Sequence, residues 1–185
     1  KNNLNTAMSL LALQAGSLRD PGSRGALNDA RRRLQSMMVL YDKLYRSDNL
    51  RALSVREYLV PLVNEITGNF PKNVPVNVET HVDDFVLDSK ALAPLGIIVN
   101  ELLSNAMKHA FPGTSGGTIK VSGSLKGNRA LVAVEDDGIG LPASFDPGSS
   151  AGFGLRLVDM LTEQIGGTVQ IEREKGTRIS LEFDV

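Results

Sequence analysis

A carboxylate, a carboxamide and an ammonium group occur at spacings that place them on one side of a helix. At 100° per residue, Glu101, Asn105 and Lys108 fall within about 60° of one another, and His109 lies at the margin of this stripe. An amide oxygen suits Mg²⁺, and an ammonium group offsets the charge of a phosphate. The stripe therefore suits a metal–phosphate pair, although an ordinary solvated helix face with an i,i+7 charge pair would show the same spacing.

An acidic strand end followed by two glycines forms a second candidate site. Asp136 and Asp137 end an apolar run and come directly before Gly138 and Gly140. Glycines at both positions allow a ligand to approach the backbone closely. A buried carboxylate at such a strand end can accept a hydrogen bond from an exocyclic amine such as that of adenine. The alternative interpretation is a plain acidic turn.

A second glycine segment precedes a predicted helix. Gly152 and Gly154, followed by Leu155, would expose amide N–H groups and the positive end of a helix dipole, which suits phosphate. The segment is neither a dinucleotide-binding fingerprint nor a P-loop, because it lacks a third glycine and a Gly-Lys-Ser/Thr sequence. Residues 142–150, between the two glycine segments, are rich in Pro, Ser, Asp and Gly. We expect a mobile lid there, with an ordinary loop as the alternative.

Composition narrows the chemistry further. The chain has 185 residues, a formal net charge of −1, no Cys and two His, which excludes disulfides and thiolate metal sites and argues against a multi-His metal site. The near-zero charge argues against nucleic acid as a partner, and no apolar run approaches the ~18 residues of a membrane span.

We expect His81 to be an exposed structural residue and the three arginines at 31–33 to form a solvated helix face. Because the first residue is Lys1, we expect the sequence to be a piece of a longer protein.

Two helices must hold the first part of the chain together. Apolar residues repeat at heptad-type spacings at Leu4, Met8, Leu11, Ala15 and Leu18, and again at Leu27, Ala30, Leu34, Met37, Tyr41 and Leu44. The Asp-Pro-Gly-Ser sequence at 20–23 is a turn, so the two helices are predicted to form an antiparallel hairpin. Two hairpins paired as a four-helix bundle would cover both apolar seams. The alternative is a hairpin that packs on the rest of the chain.

The remaining sequence alternates between helix and strand patterns. After a connector at 47–53, we predict a helix at 54–69 that begins with a capping box and is kinked or broken at Pro61. A strand follows at 74–82, and the long helix that carries the polar stripe runs over 91–111. Strands at 119–125 and 130–134 form a hairpin, a helix spans 155–165, and a final hairpin turns at 175–176. These elements predict an α/β sandwich with a mixed sheet and helices on one face.

In this order, the motifs resemble those of the transmitter region of bacterial sensor histidine kinases, over essentially all 185 residues. Residues 99–112 resemble the N box of that family, 136–140 and 152–155 resemble its two Gly boxes, and 174–183 resemble its closing strand pair. Residues 1–4 and 44–47 resemble the dimerisation hairpin of the subgroup close to the HWE kinases. Strict HWE members carry a Trp-x-Glu motif and a His where this chain has Asn100, so the chain is similar to the sister subgroup.

The resemblance implies an α+β fold with two domains. Residues 1–50 would be the dimerisation hairpin, and residues 51–185 would be a Bergerat-type ATP-binding sandwich. Asn105 would ligate Mg²⁺, Lys108 would contact phosphate, and Glu101 would act near the γ-phosphate as a general base. The implied nucleotide pocket further includes His109, Asp136 at the adenine amine, Thr177 assisting through water, and Gly138, Gly140, Gly152, Gly154 and Leu155.

The implied activity is that of an ATP-dependent protein histidine kinase. ATP and Mg²⁺ would be required, the partners would be a second copy of the chain and a response regulator receiver domain, and the location would be cytoplasmic. The phosphoacceptor His of the family would lie three positions before Lys1 and is absent from this sequence. Two alternatives stay open: a non-catalytic dimeric nucleotide-binding or phosphotransfer scaffold, and a Ser kinase that acts on a regulatory protein.

Overall fold

The chain begins with a helical hairpin. A computed structural model describes residues 2–46, 52–68, 70, 75–142, 152–173 and 175–185. Helix α1 (Asn2–Ser17) and helix α2 (Pro21–Arg46) are joined by three residues and pack on each other. The Asp20 carboxylate accepts a 2.7 Å hydrogen bond from the Ser23 amide and so caps the start of α2. The predicted antiparallel hairpin is therefore confirmed.

The apolar seam of α1 is partly covered in the single chain. Ala15 is buried between the helices, whereas Leu10 and Leu13 on another face of α1 are 61% and 73% exposed. Helix α2 packs on the long helix of the second part of the chain. This contact is the one that the alternative interpretation of the hairpin described, and pairing with a second hairpin stays a prediction.

A short two-stranded sheet connects the hairpin to the rest of the chain. Strand β1 (Ala52–Ser54) pairs antiparallel with strand β3 (Val86–Asp88), and neither strand was predicted. Residues 47–51 of the expected connector lie outside the described residues, whereas residues 52–53 belong to β1. Helix α3 (Val55–Gly68) follows, and the Ser54 hydroxyl accepts a 3.1 Å hydrogen bond from the Glu57 amide, as a capping residue does. The helix continues through Pro61, so of the kink or break expected there the break is absent.

Two further helices lie beside the large sheet. Helix α4 (Ser89–His109) begins and ends two residues before its predicted bounds, because the Asp88 carboxylate caps it by accepting a 2.8 Å bond from the Ala91 amide. Helix α5 (Phe153–Gln164) starts two residues earlier than predicted. Gly166 follows the end of this helix, and its φ of +69° is the left-handed conformation that closes many helices.

The large sheet is mixed, as the patterns predict. It contains β2 (Val76–Val82), β4 (Gly117–Lys126), β5 (Arg129–Asp136), β6 (Thr168–Glu172) and β7 (Thr177–Asp184), in the order β2-β4-β5-β7-β6. Strands β2 and β4 are parallel and the other pairs are antiparallel. Residue 74 of the predicted first strand lies outside the described residues.

One apolar core joins this sheet to helices α3, α4 and α5. On one face of β4, β5 and β7 every second residue is buried, namely Ile119, Val121, Ala130, Val132, Val134, Ile179, Leu181 and Phe183. Fully buried residues of the helices complete the core, among them Leu59, Leu62, Leu95, Ile98 and Leu103. The core therefore holds the end of β5 close to α4 and α5, where the candidate residues lie.

Candidate functional site

A cavity of about 540 Å³ opens between the C-terminal half of α4, the end of β5 and the start of α5. Both glycine segments and the second half of the polar stripe contribute to its walls. The residues that line it are Leu102, Asn105, Ala106, Lys108, His109, Ala110, Pro112, Val134, Asp136, Ile139, Gly140, Leu141, Pro142, Gly152, Gly154, Leu155, Thr177 and Ile179. The fold thus brings four separate sequence segments, 102–112, 134–142, 152–155 and 177–179, into one site.

Asp136 is the buried polar group of this cavity. Its Oδ1 atom accepts hydrogen bonds from the amides of Gly138 at 3.0 Å and Thr177 at 3.3 Å. Burial raises the pKa of the carboxyl, an effect that the two hydrogen bonds reduce and the nearby charges of Asp137 and Glu135 increase. Both bonds from described residues end on Oδ1, which leaves Oδ2 available to a ligand donor.

Glycines close the backbone around Asp136. Gly176 has a φ of +88° and lies so close to the Asp136 carbonyl that a side chain would overlap it. Gly138 lies equally close to the Ala110 carbonyl, which accepts a 2.9 Å hydrogen bond from the Ile139 amide. Gly138 therefore shapes the cavity from behind and does not line it, in contrast to Gly140.

Glu101 lies beside the cavity and not in its wall. The residue is 6% exposed, and its Oε2 atom is so near α5 that a Cβ on Gly154 would stand 2.7 Å from it. The same Cβ would be 3.7 Å from the Asn105 amide nitrogen. Gly154 therefore allows the N-terminus of α5 to approach both polar side chains of α4.

The expectation that residues 31–33 form a solvated helix face is wrong for Arg33. Its guanidinium donates two hydrogen bonds to Glu101, from Nε to Oε1 at 2.6 Å and from Nη2 to Oε2 at 2.8 Å. The side chain is 18% exposed, and its guanidinium carbon lies 4.8 Å from the centre of the Phe153 ring. One residue of the hairpin thus contacts both α4 and the first residue of α5.

Lys108 also bonds to the hairpin. Its Nζ atom donates a 2.8 Å hydrogen bond to Oδ1 of Asp29, and the same oxygen pairs with Arg32. Burial alone would raise the pKa of Asp29, but the hydrogen bond and charge of Lys108, together with Arg32, hold it below its usual value. Two of the three side chains of the stripe on α4, Glu101 and Lys108, therefore bond to α2, so the stripe is not an ordinary solvated face.

Two further contacts fix α2 in this position. The Gln35 amide donates a 2.7 Å hydrogen bond to Glu65 on α3, and the Arg32 guanidinium lies 5.6 Å from the centre of the Phe70 ring. The residues of α2 that contact the second domain were not predicted from the sequence. Their acidic and basic types on one helix face were the only signal available.

The other predicted residues lie as follows. His109 is exposed at the cavity, and Thr177 and Leu155 line it from β7 and α5. His81 is exposed as expected, 3.5 Å from the Glu79 carboxylate. Of the predicted lid, Pro142 lines the cavity and residues 143–150 lie outside the described residues, as does Glu174 of the closing strand pair.

The side chains available as metal ligands indicate which metal ion the site could bind. Among the residues that the structure describes, no group of three or more His, Asp or Glu side chains is arranged to hold a metal ion. A single amide oxygen, from Asn105, fits a Mg²⁺ ion that is bound mainly by phosphate oxygens and water.

No helix within the described ranges is long and apolar enough to cross a membrane.

Two family matches cover most of the chain. Residues 92–185 match the family described as Histidine kinase-, DNA gyrase B-, and HSP90-like ATPase. Residues 1–70 match the HisKA_2 family, described as Histidine kinase.

Curated relatives carry the same assignment. The sensor histidine kinase PdtaS of Mycobacterium tuberculosis is 30% identical over 191 aligned positions, which cover 100% of this chain and 38% of PdtaS. Blue-light-activated histidine kinase 2 of Erythrobacter litoralis is 26% identical, with 100% of this chain and 54% of that protein covered. The chain therefore spans only part of the length of these relatives.

Solved structures share the fold. The histidine kinase domain of the Erythrobacter litoralis EL346 blue-light activated histidine kinase superposes with a TM-score of 0.79 at 20% identity, covering 100% of this chain and 94% of that one. The Acinetobacter baumannii histidine kinase AdeS gives 0.63 at 16% identity, covering 98% and 96%. Since one matched family covers more than half of the chain and the other covers its helical hairpin, the chain belongs to the sensor histidine kinases, with the ATPase domain that they share with DNA gyrase B and HSP90.

Proposed function

We propose that the chain is the core of a two-component kinase. It would bind Mg·ATP in the cavity, transfer the γ-phosphoryl group to a histidine imidazole, and pass it on to an aspartate of a response regulator receiver domain. The observation that supports this most is the convergence of Asp136, Asn105 and both glycine segments on one cavity of about 540 Å³. A site that had lost its function would not be expected to keep these polar groups together.

The part of the cavity around Asp136 suits a purine base. Leu102, Val134 and Ile179 supply apolar walls, and the Oδ2 atom of Asp136 would accept a hydrogen bond from the exocyclic amine. The amides of Gly138 and Thr177 hold the carboxylate in place through Oδ1. A fixed, buried acceptor discriminates between bases, because a base without a donor there would leave the carboxylate without a partner.

The part around Asn105 and Lys108 suits the phosphates. Gly152 and Gly154 precede and open the 12-residue helix α5, whose first amides and dipole favour negative charge. Asn105 would hold Mg²⁺ and Lys108 would contact a phosphate oxygen. Magnesium, when bound, neutralises the charge that develops during phosphoryl transfer. The residues of the chain contribute mainly by positioning the reactants.

Glu101 would act at the edge of this region. Its carboxylate lies beside Asn105 and Gly154, which suits a general base that takes the proton from the attacking nitrogen. In the described conformation both of its oxygens accept hydrogen bonds from Arg33. A catalytic role for Glu101 therefore requires α2 to move or the Arg33 guanidinium to change position.

The acceptor histidine would belong to the hairpin. Residues 1–4 resemble the end of the His-Arg-Val-Lys-Asn-Asn-Leu box of the family, which puts the acceptor three positions before Lys1 in a longer protein. Lys1 would then lie one helical turn from the imidazole. We propose residues 1–50 as the hairpin that forms a homodimer and residues 51–185 as the ATP-binding domain.

A calorimetric titration with Mg·ATP tests the nucleotide site. We expect binding by the 185-residue chain, because every proposed nucleotide contact lies at or beyond Glu101. Asn105→Ala should weaken the binding of Mg·ATP, whereas Asn128→Ala, in the exposed turn between β4 and β5, should leave it unchanged. A folded chain that takes up no nucleotide at millimolar concentration would overturn the proposal.

Autophosphorylation tests the reaction. With His-Arg-Val and sufficient preceding helix restored before Lys1, radiolabelled ATP should give a label that is lost in acid and stable in base, as a phosphoramidate is. Asn105→Ala should abolish labelling, and Lys108→Ala should reduce it less. Acid-stable label would favour the Ser kinase alternative, and binding without any labelling would favour the non-catalytic scaffold.

A further inference from the structure

Helix α2 binds two polar groups that the nucleotide site would use. Asp29 accepts the hydrogen bond of the Lys108 ammonium at 2.8 Å, and Arg33 pairs with Glu101 through two bonds. Asp29 and Lys108 are each 31% exposed, whereas Arg33 and Glu101 are 18% and 7% exposed. The first pair is therefore open to exchange with a ligand, and the second is the more persistent of the two.

We propose that the Asp29 carboxylate of the hairpin competes with a nucleotide phosphate for the Lys108 ammonium, so that hairpin docking and nucleotide binding oppose each other. This inference rests on the proposed ATP site. Asp29 and a phosphate oxygen offer the same kind of anionic acceptor, and Lys108, whose ammonium bonds to Asp29, also lines the cavity. Because the coupling is a free energy between two sites, it acts in both directions.

The contacts around Asp29 allow the Lys108 ammonium to leave this carboxylate. Oδ1 of Asp29 also pairs with Arg32 on the same helix, so the carboxylate retains a cation after Lys108 has left. The Arg33–Glu101 pair and the Gln35–Glu65 bond hold α2 near α4 during this exchange. The competition therefore begins with rotation of one lysine side chain, and the loss of the Asp29–Lys108 bond weakens the docking of α2 without separating the domains.

Asp29→Asn removes the competing charge and keeps the shape of the side chain. We expect this variant to bind Mg·ATP about two- to fivefold more tightly than the parent chain, which corresponds to the loss of a partly exposed ion pair. Asp83→Asn is the matched control, because it makes the same charge change at an exposed turn between β2 and β3. It should leave the affinity for Mg·ATP unchanged.

A double-mutant cycle identifies Lys108 as the shared group. In a Lys108→Ala background, Asp29→Asn should produce no gain in affinity, because neither anion has an ammonium to bind. Hydrogen exchange on the unaltered chain measures the reverse direction: saturating Mg·ATP should speed exchange of the α2 amides near Asp29 relative to those of α3. This measurement does not depend on whether any variant folds.

The outcomes separate the two proposals. No binding by the parent chain overturns the nucleotide site and the competition with it. Binding by the parent chain with an equal or lower affinity in Asp29→Asn overturns the competition alone, as does a gain that persists without Lys108. Protection of α2 by nucleotide would show that the hairpin and the ligand bind cooperatively, which contradicts the proposal.

Discussion

Asp136→Asn separates recognition of the base from the stability of the fold. Asparagine retains an oxygen that can accept the bonds from Gly138 and Thr177, at 3.0 and 3.3 Å, but it replaces the second carboxylate oxygen by an amide donor. The exocyclic amine of adenine would then meet a donor in a site that is 6% exposed. We expect the loss of about 1–3 kcal/mol of binding free energy, or roughly a 5- to 150-fold weaker affinity for Mg·ATP.

The same substitution should not destabilise the fold at neutral pH. Burial raises the pKa of Asp136 in the folded chain above its ordinary value, so the folded state holds this proton more tightly than the unfolded state. The stability of the parent chain therefore falls as pH rises from the ordinary Asp range of about 4 through the raised folded pKa. Asparagine lacks this titration. The free energy of unfolding of Asp136→Asn, compared with that of the parent at the same pH, should therefore be larger above this pH window than below it.

The assay pairs calorimetric titration with denaturant unfolding on either side of this pH window. Asp137→Asn is the control, because it makes the same charge change one residue further along at an exposed carboxylate that binds the Thr118 amide at 2.7 Å. An unchanged affinity in a folded Asp136→Asn chain would remove Asp136 from the nucleotide site. An equal loss in Asp137→Asn would show that local charge, and not a specific bond, carries the effect.

Three further perturbations test other parts of the structure. Gly176→Ala should destabilise the fold by about 1–3 kcal/mol from its left-handed φ of +88° alone, and unfolding within 0.5 kcal/mol of the parent would refute the close approach to β5. Arg33→Gln should lower the free energy of unfolding by about 3 kcal/mol, because it strands a buried carboxylate, whereas Arg31→Gln on the exposed side of α2 should change it by less than about 0.5 kcal/mol. Equal effects in these two variants would contradict the buried ion pair. Leu11→Asp or Leu34→Asp should break the proposed dimer, since an acidic side chain would be buried in a bundle core; light scattering measures this, and dimers of undiminished affinity would place the interface elsewhere.

Local patterns in the sequence were sufficient to predict much of the fold. The seams of the hairpin, the alternation in β4, β5 and β7, and the glycines that end helices depend on backbone periods and turn preferences, which act over a few residues. The candidate residues Asn105 and Asp136 were also recognisable, because each belongs to a short motif with its own chemical requirement. That they share one cavity is a property of the fold.

Only the tertiary structure decided how the hairpin meets the ATPase domain. The three-residue strands β1 and β3 are too short to show a period, and their pairing depends on a contact between residues 52–54 and 86–88. Arg33 and Glu101 are 68 residues apart in the chain, and Asp29 and Lys108 are 79 apart. An ion pair between surfaces of two separate elements leaves no trace in the periodicity of either one, because the burial that creates it arises when α2 packs on α4.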